Sequence, residues 1–422
     1  MKKILSTICA VLVASNAYAG GFQLSEYSLT QLGRAFAGYG VVGDDYSMMA
    51  FNPAGMCLRD TGVQTGLTIV ALKSEAKGSV SNGVQGKVGK LEDHPPVPHV
   101  FAQYKVNDKT RVGFAAYSPY SFETNYSDHW YGRTHALHSK ITTVDYELAG
   151  SYDLTKNFSL GAAIIAETTK ATLTNEVEKS GMYFPNSRSR VSGRSNTFVY
   201  DLGLIYKLGE NTRFGLSYHS QAVHQIRGSH RVSTPAMTIP GMGTIPAMQL
   251  DTPAGTKLTL PEYYTLSAYH RINDFGLSAS VKWTRWSKFK TLDIWSSSNG
   301  TGTRQSVGAV DENWRDTWML SLGTDYYLND KWTLRGGISY DQAGVKDAAH
   351  RTARVPDSNR WILGVGASYK INDKMQVDAG YSHVFMKTTE SHNKLPGAGG
   401  STLNTKYGSS INMVGISFQY NF

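Results

Sequence analysis

The chain has 422 residues, a formal charge of +9, 18% charged residues and a mean hydropathy of −0.32. Hydropathy alone would place it among soluble proteins, and its length exceeds one ordinary domain unless it is a barrel, which stays single at this size. The soluble reading sits badly with 25 Tyr and 8 Trp against 15 Phe, a bias toward rings with one dry and one wet end, and with 42 Gly, which favour tight turns over helices.

The first element is an export signal. Lys2 and Lys3 make a positive start, Ile4 to Val13 a short apolar core, and Ala17-Tyr18-Ala19 a small-x-small cleavage pattern, so residues 1–19 are predicted to be removed. The core is too short for a spanning helix, and no cysteine follows the cut to anchor a lipid. Losing the two lysines takes the charge from +9 to +7, a balance compatible with anionic lipid or an anionic ligand. Cys9 leaves with the signal and Cys57 remains alone, so neither an internal disulfide nor a cysteine metal cluster is expected.

Residues 20–60 lack the alternation that follows them. In GGFQLSEYSLTQLGRAFAGYG the apolar Leu24, Leu29, Leu32 and Phe36 fall at near-helical spacing, and Asn52-Pro53 signals a turn. Gly33, Ala35, Ala37, Gly38, Gly40 and Gly43 suit close packing. The stretch is therefore expected to fold back as a hatch inside a lumen rather than trail as a periplasmic extension.

From about residue 61 the period changes to two. Trp332, Leu334, Gly336, Ile338 and Tyr340 alternate with Thr333, Arg335, Gly337, Ser339 and Asp341, and the chain ends in the same way, Val414 to Phe422. Short polar turns are predicted at 105–109, 153–157, 207–211, 271–275, 327–331 and 370–374, four of them built on Asn-Asp. Long connections lie between them, at about 74–96, 122–142, 174–196, 228–255, 297–311, 342–357 and 387–408. Long strands, Tyr and Trp capping the apolar face, and strict short–long alternation of loops together describe an outer-membrane barrel. Six short turns join twelve strands; one strand before and one after make fourteen, with both ends periplasmic. The predicted class is all-β, a fourteen-stranded antiparallel barrel over residues 61–422 with the hatch inside. Closure matters because an open sheet edge in lipid leaves backbone groups unpaired.

Several stretches resemble the FadL/TodX family of outer-membrane transporters for long-chain fatty acids and related hydrophobic compounds. They are GGFQLSEYSLTQLGRAFAG, NPAG at 52–55, LPEYYTLSAYHRIND at 260–274, VKWTRWSKFKTL at 281–292 and VPDSNRWILGVGASYKIND at 355–373. The resemblance is collinear from the signal to Phe422, and the N-terminal and Asn-Pro-Ala motifs are its most specific parts. It implies a fourteen-stranded barrel with an N-terminal hatch and lateral release of cargo beside a kinked strand. The expected partners are a long-chain fatty acid or another hydrophobic small molecule, lipopolysaccharide and outer-membrane lipid, and the barrel-assembly machinery through the terminal Phe422. The protein is expected to be a monomer.

Within that frame the residues suggest roles. Pro119 stands inside the third strand, where proline cannot donate to a ladder, so pairing is expected to break over Ser118, Pro119, Tyr120 and Ser121 and leave a gap in the wall. Phe22, Leu24, Met48, Met49, Phe51 and Asn52 are candidates for the hatch face of a ligand pocket, the methionines because they adapt to cargo of variable shape. Asn52-Pro53-Ala54 matches the family's hatch motif. A carboxylate in a dry pocket needs a cationic partner, and alternation places Lys282 and Arg315 on the lumen side as candidates. Lumen acids such as Glu147, Glu167 and Asp325 are available to pair with lumen arginines.

Other chemistry fits poorly. His219-Ser220 and His138-Ser139 are neighbours on strands and face opposite sides, so neither makes a nucleophile–base couple. His219 and His224 have opposite parity, which argues against a shared metal and for girdle or loop positions. No phosphate loop or dinucleotide fingerprint occurs, and Lys and Arg are dispersed, so no cofactor, metal, catalytic residue or nucleic acid is expected. A general porin and a loop-mediated adhesin or receptor are the alternative functions for the same barrel.

Overall fold

The computed structural model describes residues 21–179, 182–239, 243–297, 303–396 and 399–422; the predicted export signal lies outside the described residues. The repeated polar turns have a common chemistry. Asn107 Oδ1 accepts the backbone N–H groups of Lys109 and Thr110 at 2.9 and 3.0 Å. Asn329 does the same for Lys331 and Trp332, and Asn372 for Lys374 and Met375. An asparagine side chain that caps the amides two and three residues on forms a tight turn by itself. Asn273 serves differently, by adopting a left-handed φ of 51°.

Between the turns run fourteen antiparallel strands. These are β1 (Gly62–Val80), β2 (Gly89–Asp93 and Pro96–Lys105), β3 (Thr110–Tyr117 and Ser121–Asn125), β4 (His138–Asp153) and β5 (Phe158–Lys179). Next come β6 (Met182–Leu208), β7 (Thr212–His219 and Ala222–Thr234), β8 (Met248–Leu260 and Tyr263–Ile272), β9 (Phe275–Thr284 and Thr291–Ser297) and β10 (Arg304–Asp311 and Thr317–Tyr327). The last four are β11 (Trp332–Asp341), β12 (Arg360–Lys370), β13 (Met375–Met386 and Thr389–Lys394) and β14 (Thr402–Asn421). The ladder closes when β14 pairs with β1 from Gly62↔Asn421 to Val80↔Leu403, which leaves the sheet no free margin. Alternation sets the two faces: on β12, Trp361, Leu363 and Val365 point outward and are exposed, while Arg360 and Ile362 are buried inside.

Several predicted loops are largely strand instead, two of them in long paired tips. Residues 174–196 are mostly the extended tips of β5 and β6, and residues 228–255 mostly those of β7 and β8. Above the apolar belt no lipid imposes a greasy face, so the period-two signal fades from the sequence while the backbone ladder continues.

Residues 21–58 lie within the barrel and are almost wholly buried. A short helix α1 (Leu29–Gly33) starts where the Ser28 side chain accepts the Gln31 N–H, and is followed by α2 (Met48–Phe51) and a 3-10 turn over Pro53–Leu58. A closed ring of four charges ties the segment to the wall. Arg34 meets Asp44 at 2.7 Å and Asp325 of β10 at 2.8 Å. Arg335 of β11 meets the same two carboxylates at 2.9 and 3.1 Å. Two arginines and two aspartates in alternation neutralise one another, which is what burial of charge demands. Asp325 thus takes its expected arginine partners, whereas Glu147 and Glu167 do not.

Candidate functional site

The Asn-Pro-Ala turn rests on a floor of glycine. Asn52 Oδ1 accepts the Ala54 N–H at 3.1 Å, and Asn52 Nδ2 donates to the Leu204 carbonyl of β6 at 3.2 Å. Gly161 of β5 and Gly203 of β6 are register partners directly beneath. A Cβ on Gly161 would stand 2.1 Å from the Ala54 nitrogen, and one on Gly203 2.0 Å from Asn52 Oδ1. Only glycine allows this approach, so Asn52, Pro53 and Ala54 are anchoring residues, and none of the three lines a cavity described next.

The start of the segment joins the wall where the third strand is interrupted. β2 and β3 pair from Lys105↔Arg111 up to Val100↔Ala116; beyond that, Pro96 to His99 of β2 pair with β1 alone. On the other side Tyr117↔Asp145 and Ser121↔Thr142 show four steps along β3 against three along β4. Ser118, Pro119 and Tyr120 occupy the interruption and are buried, with Ser118 Oγ donating to the Thr143 carbonyl at 2.6 Å. Tyr120 Oη reaches across to the Pro261 carbonyl in the break of β8. The N-terminal segment takes the vacated backbone partners: the Leu24 N–H donates to the Pro119 carbonyl at 2.7 Å, and the Ser121 N–H to the Phe22 carbonyl at 3.0 Å. Phe22 is enclosed by Tyr120, Phe122, Trp286, Phe289 and Trp314, with ring centroids 5.1 to 6.1 Å away.

Lys282 of β9 faces inward beside this junction. Its Nζ donates to Gln23 Oε1 at 3.2 Å and lies 5.5 and 5.8 Å from the ring centroids of Tyr39 and Tyr263. Glu26 is near enough to act on it electrostatically. Burial pushes the Glu26 carboxyl up to about 7, against the pull of the Ser25 N–H and of Lys282. Leu24, Phe51 and Lys282 line a small cavity with Gln23, Tyr27 and Tyr39, of about 10 Å³. That is roughly the space of one water, so an alkyl chain enters only if the Phe22–Leu24 stretch moves. Met48 and Met49 are buried but do not line it; the Met49 methyl packs on Gly113 of β3.

Arg315 stands elsewhere. Alternation placed it inside, but β10 is interrupted between Asp311 and Thr317, so parity does not carry across. Its side chain is exposed and braces a loop, donating to the Ala343 carbonyl at 3.1 Å. A larger cavity of about 480 Å³ opens among the extracellular connections, lined by His135, Leu173, His230, Leu292, Ile294 and Arg354 among others. It falls within the ~300–1,000 Å³ range of small-molecule sites. Arg354 is held by the neutral Ser139 and Asn175 at 2.9 and 3.1 Å. Burial lowers it to about 10 and the His135 imidazole to about 3, so at neutral pH the cavity holds a charged guanidinium and a neutral ring.

Sequence reasoning missed a buried acid–imidazole cluster inside β3 to β7. His219 meets Asp201 at 2.5 Å, His224 meets Glu167 at 2.6 Å, and Tyr117 Oη donates to Glu147 at 2.8 Å. Asp145 stands directly opposite Glu167 in register. Parity had set His219 and His224 on opposite faces and assigned them to girdle or loop. Both point inward because β7 breaks at Ser220 and Gln221, shifting the phase by one. No local signal announces that break, since Ser-Gln is an ordinary strand dipeptide.

Residues 10–422 match the family described as outer membrane protein transport protein (OMPP1/FadL/TodX). The chain is 29% identical over 437 residues to a 47 kDa outer membrane protein of Pasteurella multocida, covering 99% of this chain and 98% of that one. It is 26% identical over 454 residues to the long-chain fatty acid transport protein of Escherichia coli O6:H1, covering 98% and 97%. The crystal structure of a Pseudomonas aeruginosa FadL homologue shares the fold with a TM-score of 0.84 at 24% identity, over 95% of this chain and 100% of the other.

Proposed function

Since the chain belongs to the OMPP1/FadL/TodX family of outer-membrane transporters, we propose that it takes up long-chain fatty acids or similar hydrophobic compounds and releases them sideways into the bilayer. Such cargo is nearly insoluble in water, while the polar outer surface of the membrane bars it from the lipid beneath. In this reading the 480 Å³ cavity catches it from outside. The head group then migrates to Lys282, whose charge no ion-paired acid neutralises among the described residues. Residues 21–58 act as the hatch.

One observation supports the coupling above others. Gln23 holds Lys282 while its neighbours Phe22 and Leu24 bond the backbone of Ser121 and Pro119. A carboxylate that replaces Gln23 on Lys282 therefore loosens the strip that covers the interruption in β3. The apolar chain enters the space vacated by Phe22 and Leu24, and the unpaired stretch between β2 and β3 becomes its exit. The filled lumen argues against a general porin, which needs an open water path.

Oleate uptake in a strain lacking its own transporter tests the proposal. Expression of this protein restores uptake, and Pro119→Ala reduces it several-fold with the barrel intact. Passage of hydrophilic sugars without oleate uptake would overturn it.

A further inference from the structure

The outward face of the sheet, just above its apolar belt, bears cations set against one another. Lys170 of β5 is the register partner of Arg194 of β6, and Arg194 that of Arg227 of β7. Two same-face rows higher, beyond Ser192 and Ser229, Arg190 of β6 opposes Arg231 of β7. All five are exposed. Lys170 has the parity of Ile164 on β5, which is 66% exposed, and Arg190 and Arg194 that of Phe198 on β6, which is 77% exposed, so cations and lipid-facing side chains share one surface.

Direct cross-strand neighbours have Cβ atoms ~4.5–5.5 Å apart, and like charges so placed destabilise a sheet. Arg231 has a counter-charge, Asp251 at 2.7 Å. Among the described residues, no ion pair involves Lys170, Arg190, Arg194 or Arg227. A ladder with three successive unneutralised cations needs an anion from outside the chain. Height identifies it. Arg194 lies four residues beyond Phe198, about 13 Å along a strand at ~3.3 Å per residue, or about 9 Å of elevation at a tilt of ~45°. With Phe198 as the upper edge of the apolar belt, that rise brings Arg194 to the level of the lipid head groups.

We propose that this face binds lipopolysaccharide, with Lys170, Arg194 and Arg227 holding the phosphate groups of lipid A and Arg190 reaching the anionic inner core. One amphiphile satisfies both halves of the surface: its acyl chains pack on Ile164 and Phe198, and its phosphates accept from guanidinium forks suited to bidentate bonding. A free polyanion would satisfy only the upper half. The inference needs the outer-membrane location and is independent of the transport reading.

The test uses purified full-length protein in neutral detergent with bisphosphorylated or dephosphorylated lipid A, read by native mass spectrometry and thermal unfolding. The wild type retains the bisphosphorylated form and unfolds at a higher temperature with it; added inorganic phosphate or salt weakens both effects. The triple variant Lys170→Gln/Arg194→Gln/Arg227→Gln loses retention several-fold. In lipid-free detergent it unfolds no earlier than the wild type, because opposed like charges have been removed. Arg227→Gln alone gives an intermediate loss, and Lys346→Gln in an exposed loop gives none. Equal retention by wild type and triple variant, or equal retention of dephosphorylated lipid A by the wild type, overturns the proposal.

Discussion

Lys282 concentrates the chemistry at the residue scale. Its buried ammonium is held by a neutral amide, and under the proposed function a carboxylate takes the place of that amide. A hydrogen bond to a charged group contributes about 1.5–3 kcal/mol, so Lys282→Met should weaken oleate binding by about 10- to 100-fold and leave a neutral aromatic cargo unaffected. Trp286 and Trp314 beside Phe22 provide a fluorescence readout for both titrations. Glu26 adds a pH dependence. Its folded value of about 7 exceeds its ordinary 4.5, so the folded state holds the proton longer, and the stability associated with it falls as pH rises through that window. Once ionised, Glu26 competes for the charge of Lys282, so oleate should bind more tightly at about pH 6 than at about pH 8. Glu26→Gln should flatten both profiles; urea unfolding and fluorescence titration across pH check this. Lys282 was legible from its sequence because β9 runs unbroken from the Asn273 turn to Thr284. Arg315, His219 and His224 were not, because each lies at or past an interruption that resets parity.

Elements were legible in proportion to how strongly lipid or turn chemistry constrains them. The asparagine-capped turns and the belt-spanning halves of the strands declare themselves, since one face must be greasy and three turns share one capping geometry. The extracellular tips of β5 to β8 do not, because the ladder there is held by backbone bonds between faces that carry no contrast. The interruption in β3 was expected from Pro119, but nothing in the sequence revealed that the strip from Phe22 to Leu24 would take up the freed backbone groups. Asn52→Ala should free the Ala54 amide and the Leu204 carbonyl together. At roughly 1–3 kcal/mol for a buried group left unpaired, the N-terminal segment should loosen while the barrel remains folded. Electrophysiology in planar bilayers would read this as a rise in small-ion conductance.

For the whole molecule, a closed wall and an occupied lumen leave few routes for cargo. The ring of Arg34, Asp44, Asp325 and Arg335 fixes one side of the N-terminal segment to β10 and β11, and the turn at Asn52 fixes the other to β5 and β6. Asp325→Ala would leave two buried guanidinium groups sharing one carboxylate, a loss of about 3–5 kcal/mol, and thermal unfolding should shift down accordingly. The strip from Phe22 to Leu24 carries no charge of its own and is held by two backbone bonds, one amide–ammonium contact and the rings packed around Phe22, and it covers the break in the ladder. Cargo that leaves through the wall must therefore part Gln23 from Tyr120, which form an isolated antiparallel bridge. The decisive measurement is oleate uptake by a Gln23→Cys/Tyr120→Cys variant in a Cys57→Ser background. Uptake should stop when the pair is oxidised and resume on reduction; uptake at the same rate in both states would rule out exit beneath this strip.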